Sequence, residues 1–263
     1  MMRYWRIWRR FVAMAMMQLL EYRASFALAV LDSVAQLGLL VLTYLVLYRF
    51  TADVAGWDRA EALLLLGIFW LVDGVWTFQF AGTIGSLPGL IQRGDLDFLL
   101  LRPVSAQFLV VCWRGVNLKA LSRSVSGLLL VVYAAGQAGV RWSLLGVAEA
   151  VLLALCGLVV LYAIRFATAV CTFWVLQVSE LYELFHILYG TARFPVSYFR
   201  EPVRSVLTYV IPAAFVATFP AQALLGTVDH RLLLVGPALA GAACLGTHVL
   251  WRFAVRHYSS ASS

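Results

Sequence analysis

From Ala24 to Tyr48 the chain runs without interruption through apolar and small residues, with Asp32 as its single charged side chain. A helix of about 20 such residues crosses the hydrocarbon core of a bilayer, and a backbone inside lipid has to satisfy its own hydrogen bonds. Five further runs have the same character: Ala60 to Phe80, Val116 to Ala138, Ser143 to Ile164, Thr168 to about Tyr189, and Leu232 to Trp251. Lys119 and Arg123 near the start of the third can snorkel to the interface, and Arg165 interrupts the fourth and fifth. Of the 263 residues 63% are hydrophobic and 13% charged, where a soluble domain carries about 25% charge. Too little polar surface remains to cover a water-soluble globule. The expected fold is an all-α integral membrane protein with six transmembrane helices.

The net charge of +7 is nearly all arginine, with Lys119 the only lysine. In a membrane protein such an excess reports topology and contact with anionic lipid, not nucleic acid. The four cysteines are scattered without ligand spacing and read as small buried hydrophobes. Residues 1–23 do not read as a cleavable signal. Trp5, Trp8, Val12, Met16 and Leu19 recur at helical spacing while Arg3, Arg6 and Arg10 follow on another face, the pattern of an amphipathic helix lying in the membrane interface. Residues 24–256 then form one transmembrane domain, and 257–263 a cytoplasmic tail. With both termini inside, ten arginines are cytoplasmic and seven lie outside, a bias in the direction of the positive-inside rule. Residues 206–225 are apolar enough to span, but Pro212 and Pro220 break the run. Short re-entrant or interfacial helices over 191–230 are therefore expected before the last span.

Charged groups within lipid are costly and mark pathways or helix contacts. Asp32 and Gln36 share one face of the first span and Asp73 lies inside the second. They are candidates for a pathway lining, or for interhelical hydrogen bonds that fix packing. Glu180, Glu183 and His186 form a polar stripe late in the fifth span, a candidate gate. Glu183-x-x-His186 has the spacing of di-iron bundles, but no second ExxH supplies matching ligands. An intramembrane hydrolase could be built only on Glu180, Glu183 and His186, and an ion-coupled secondary transporter on Asp32 and Asp73. Neither accounts for the most polar long stretch between two spans, IQRGDLDFLLLRPVSAQF, residues 91–108. Gly94 can end one short helix in the left-handed conformation and Asp95 or Asp97 can cap the next. Pro103 closes that helix, and Ser105 can cap the approach to the third span. The expected product is a short helix displaying Leu96, Leu99 and Leu100 with charges at both ends, suited to a groove on a soluble partner.

The run GDLDFLLLRPVS resembles the cytoplasmic signature of ABC exporter permeases of the type-2 class, in the subgroup of six-span subunits of about this length. YRASF (Tyr22 to Phe26) and GWDRAEALLLLGIF (Gly56 to Phe69) match the approaches to its first two spans. ARFPVSYF (Ala192 to Phe199) and YVIPAAFVATFPAQALLG (Tyr209 to Gly226) are similar to its extracellular segment, and WRFAVRHYSSASS to its C-terminus. The resemblance runs through essentially the whole chain in order. It implies an exporter half in the cytoplasmic membrane of a bacterium, moving an amphipathic or hydrophobic compound. It implies a coupling segment, 91–105, in which Asp95, Leu96, Asp97, Leu99, Leu100, Arg102 and Pro103 meet a separate ATPase subunit. It also implies a second permease, sister or copy, and a re-entrant extracellular pair over 191–230. The chain carries no GxxxxGK[ST] phosphate loop, so ATP and magnesium would be bound by the ATPase partner, with no cofactor and no enzymatic centre here.

Overall fold

The computed structural model describes residues 2–112, 116–174, 179–210 and 213–257, with backbone alone at 179–182 and 209–210. Helix α1 (Met2–Glu21) is amphipathic and buries no residue, and it bends at Tyr22 into α2 (Arg23–Leu47). A minimal antiparallel hairpin follows, β1 (Asp53–Val54) against β2 (Trp57–Asp58). Ala55 and Gly56 turn it with φ of 50° and 82°, the positive pair that a tight hairpin turn requires. Asp58 then starts α3 (Arg59–Trp76) with a reciprocal cap. Its carboxylate accepts from the Glu61 N–H at 2.8 Å, and the Glu61 carboxylate accepts from the Asp58 N–H at 3.0 Å.

The rod continues through a π-helical turn at Thr77–Ala81, α4 (Gly82–Ile84) and α5 (Leu87–Gln92). Helices α6 (Leu96–Leu100) and α7 (Ala106–Cys112) lead to a 3-10 turn, Leu118–Ala120, and α8 (Leu121–Gln137). Helix α9 (Leu144–Val170) is capped by Ser143, whose hydroxyl accepts from the Gly146 N–H at 3.0 Å. After α10 (Ser179–Gly190) come 3-10 turns, α11 (Val203–Ser205) and a π-helical turn, Val206–Val210. A 3-10 turn at Ala213–Phe215, α12 (Thr218–Leu225) and the long α13 (Leu232–Arg256) complete the order.

Among the described residues five helices are long and apolar enough to cross a membrane: Arg23–Leu47, Arg59–Gln92, Leu118–Gln137, Leu144–Phe173 and Leu232–Arg256. The expected fifth span, 168 to about 189, is not one helix here. Its first turn belongs to α9, residues 175–178 lie outside the described residues, and α10 carries the remainder in 12 residues. Arg165 does not interrupt α9, because its side chain is 2% exposed and finds partners inside the protein.

Helix α3 is the axis of the bundle, with 67% of its apolar window buried against 17% for α2 and for α13. Its contact with α8 is set by glycine. A Cβ on Gly67 would lie 2.8 Å from the Val131 nitrogen, and one on Gly127 would lie 2.5 Å from the Leu71 nitrogen. Lipid removes the hydrophobic drive between helices, so close backbone approach of this kind is what holds them.

The bundle has two distinct ends. At one, α1 lies against the end of α3 and against α7, with Trp8 Nε1 donating to Gln79 at 2.9 Å and Tyr4 edge-on to Phe108. The opposite end carries the hairpin, where Tyr48 donates to the Trp57 carbonyl at 2.9 Å and Tyr44 to the Arg193 carbonyl. The proline-broken segment starts at this hairpin end. It reaches inward until the Phe215 carbonyl meets Gly157 in α9, and it returns along α12 until the Ala223 carbonyl meets Gly146. His230 then sits 3.7 Å from Glu149, again at the hairpin end. Pro220 falls in the first turn of α12, where a missing N–H costs little, and Gly226 closes that helix with φ 72°. Pro212 lies outside the described residues, as does the tail from 258.

Candidate functional site

Three candidate polar residues converge through a fourth that the sequence reading had placed elsewhere. Gln36 Nε2 donates to Asp32 Oδ2 at 2.7 Å, one turn away on α2. Arg123 of α8 donates to the Gln36 oxygen at 3.3 Å and to Asp73 Oδ2 of α3 at 2.6 Å. The guanidinium also lies 4.7 Å from the centre of the Trp70 ring, a cation–π contact. Beside this chain Trp70 Nε1 donates to the Ser126 hydroxyl at 3.1 Å, which in turn lies 3.4 Å from the Ser33 hydroxyl. Arg123 therefore does not snorkel. Asp73 is 9% exposed, and a buried carboxylate draws the nearest cation inward because pairing costs less than carrying either charge alone. Asp32 and Gln36 stay on the exposed side of α2, so the network ends in a carboxylate on the bundle's outer face.

A second polar contact joins α9 to α10. Arg165 Nη2 lies 3.1 Å from His186 Nδ1, and its guanidinium is 5.8 Å from the Tyr189 ring. Tyr189 in turn packs on Phe69 of α3. Of the expected stripe of Glu180, Glu183 and His186, His186 takes part in this contact, Glu183 is exposed, and the Glu180 side chain lies outside the described residues. Arg123 and Arg165 are the residues that sequence reasoning misassigned. The available signal was their position inside otherwise apolar runs, where an unpaired arginine is expensive.

The 91–105 segment takes the expected form with its face reversed. Gly94 ends α5 with φ 73°, and α6 is short. Asp95 precedes it without a side-chain cap and pairs with Arg93 Nε at 3.2 Å. Leu96 and Leu99 are completely buried in the chain's own core, with Leu100 packed partly against it, so these leucines do not form the outward face assigned to them. Phe98 and Leu101 are exposed instead, at 67% and 83%, with Arg102 and Pro103 exposed beside them. The physical reason is helical spacing: positions 96, 99 and 100 share one side of a turn, and 98 and 101 the other. Ser105 is the approach to α7 as expected, accepting weakly from the Phe108 N–H at 3.5 Å. Inward, α6 packs on α7, while α5 packs on α9 and on the 3-10 turn Cys171–Phe173 that ends it. A displacement of α5 and α6 would therefore reach the end of a membrane helix directly.

Comparison with known families and proteins fits this arrangement of apolar helices joined by a packed loop helix. No curated protein and no solved structure matches the chain. The family model described as ABC-2 family transporter protein matches residues 34–262, which takes in every span after the first turns of α2, the 91–105 segment and the proline-broken segment. The chain is a membrane subunit belonging to the ABC-2 family of transporter proteins.

Proposed function

We propose that the chain is the permease half of an ATP-driven exporter in a bacterial cytoplasmic membrane, with both termini and the α1 end in the cytoplasm. Separate ATPase subunits bind ATP and magnesium, and a second permease, identical or sister, completes the pathway. The observation that carries this reading is the exposed pair Phe98 and Leu101 on a helix whose other side is anchored in the core. A coupling element needs both faces: one to grip the ATPase and one to pass its movement on. ATP-driven closure of the ATPases would carry α5 and α6 with them and so act on the end of α9. The work comes from the difference in contacts between the two states.

Asp95 and Arg93 are occupied with each other at the surface, and exposed pairs of this kind contribute little, so the apolar pair Phe98 and Leu101 carries the contact. The pathway would draw on the Asp32–Gln36–Arg123–Asp73 chain along α2. The poorly covered apolar side of that helix (Leu31, Val34, Leu39, Leu42) suits the second permease. The cargo is an amphipathic or apolar compound. An ion-coupled transporter would need the Asp73 carboxylate open to a coupling cation, and it is paired with Arg123 at 2.6 Å.

Phe98→Asp with Leu101→Asp tests the coupling role. Each apolar side chain buried at such a contact contributes about 1.5–3 kcal/mol, so the double variant is expected to weaken ATPase binding at least about a hundredfold. The permease itself should insert and melt as before, because both positions are already in solvent. Normal co-purification with the ATPase and wild-type export would remove α6 from the coupling role. Leu99→Asp serves as the contrast, lowering the stability of the permease alone by placing a charge in its core.

Orientation is tested separately. Single cysteines at Tyr198 and Asp229 are expected to label from the outside of intact cells, since 191–231 begins and ends at the hairpin end. Labelling of the two positions from opposite faces would mean that the segment crosses.

A further inference from the structure

A groove of about 640 Å³ opens between the end of α3, α7, α9 and α13, and contains none of the residues of the Arg123 network. Its walls are mainly apolar, with Phe78, Phe80, Phe108 and Leu158 prominent. Three of the four flanking helices, α3, α9 and α13, are among those long and apolar enough to span the membrane. On that membrane reading the groove opens toward hydrocarbon, and an occupant would come from the leaflet.

One part of the groove is polar. Gln107 Nε2 donates to the Tyr162 hydroxyl at 3.2 Å, and His248 Nδ1 lies 3.4 Å from the Gln107 oxygen. Gln79 accepts from Trp8 at 2.9 Å. Trp8 and Tyr4 pin α1 to this rim, the latter with its ring 4.8 Å from that of Phe108. Helix α1 brings four exposed arginines, Arg3, Arg6, Arg9 and Arg10, and no acidic residue before Glu21. None of the ion pairs among the described residues involves them.

An apolar slot facing lipid, polar at one side and roofed by a basic interfacial helix, has the chemistry of an anionic phospholipid. We propose that the groove holds an acyl chain of an anionic phospholipid from the leaflet on the α1 side, whose phosphate is held by Arg3 and Arg9, the α1 arginines that flank the Tyr4 and Trp8 face. A neutral lipid could fill the slot but would leave the arginines unanswered. The bound lipid would fasten α1 to the bundle beyond the Trp8 and Tyr4 contacts. This site does not depend on the ATPase assignment.

The full chain, purified in detergent, is titrated with phosphatidylglycerol or with phosphatidylcholine of matched acyl chains, and retained lipid is read by native mass spectrometry. Phosphatidylglycerol is expected to be retained in preference by about fivefold for each arginine engaged. Arg3→Gln with Arg9→Gln should keep lipid binding and lose most of that preference. Leu158→Trp, which fills the slot from its wall, should lose the retained lipid. Because a new tryptophan can also disturb packing, the unsubstituted chain gives a second reading. Cys244 lines the groove and is exposed, so phosphatidylglycerol should slow its alkylation by a maleimide and phosphatidylcholine should do so much less. Equal retention of the two lipids, or alkylation of Cys244 unchanged by phosphatidylglycerol, would overturn the proposal.

Discussion

Replacing Gly127 with leucine is expected to separate α3 from α8 and cost about 3 kcal/mol or more, above the usual range for an overpacked core. The atoms that meet the new side chain cannot yield. A Cβ at 127 lies 2.5 Å from the Leu71 nitrogen and 2.9 Å from both the Leu71 Cα and the Gly67 carbonyl oxygen, all of them backbone. Relief requires the helices to move apart along their length. Gly67 and Gly74 make the same close approach one turn to either side, against Val131 and Ser124, so the whole seam opens. The Arg123–Asp73 pair bridges those two helices and would be stretched with it. Gly136→Leu is the matched control, since it sits on the same helix with nothing within 4 Å of its Cβ and replaces glycine in an exposed helical position. Thermal unfolding in detergent, followed by helicity and by size-exclusion profile, should show a large fall for the first variant and none for the second. A Gly127→Leu chain that melts within a degree or two of the parent would mean that the two helices are not held by backbone proximity.

Much of this architecture was readable before any coordinates, and what was not has a common cause. Span positions follow from run length alone, so the membrane helices start within a few residues of the apolar runs, while Arg59–Gln92, Leu144–Phe173 and Leu232–Arg256 continue past the expected ends. Gly94 announced a left-handed turn because few other residues tolerate one. Pro220 announced a break, and it falls in the first turn of α12, which begins at Thr218. The errors concern partners distant in sequence. Arg123 reads as a snorkelling residue unless Asp73, 50 positions earlier, is known to be beside it. Arg165 reads as a break in a span unless His186 and Tyr189 are known to cover it. The face of α6 was ambiguous for a different reason. A five-residue helix is too short to establish a periodicity, and both Leu96 with Leu99 and Phe98 with Leu101 fit a spacing of three. Only the rest of the bundle decides which pair is inside.

The Asp73–Arg123 pair yields the second large effect, and its decomposition separates a brace from a pathway lining. Arg123→Gln leaves the Asp73 carboxylate nearly enclosed, with its 2.6 Å partner gone, and breaking one side of a buried pair costs about 3–5 kcal/mol. Asp73→Asn should cost less. Arg123 then keeps the Trp70 ring and the Gln36 oxygen and is a quarter exposed, so its charge still has somewhere to go. The double variant removes both charges and leaves two amide side chains within reach of each other. It should recover much of what Arg123→Gln loses, with a coupling of about 0.5–3 kcal/mol between the sites. Unfolding midpoints of the four proteins measure that coupling. A double variant no more stable than Arg123→Gln would show that the pair does not hold α3 to α8. Transport by the double variant, in the proposed assembly with ATPase subunits, then reads the other role. Wild-type transport at restored stability makes the pair a packing device, and the exposed carboxylate of Asp32 becomes the part of the network left to meet cargo. Restored stability with transport abolished places the charges themselves on the path, since an amide pair that rebuilds the helix contact fails to replace them.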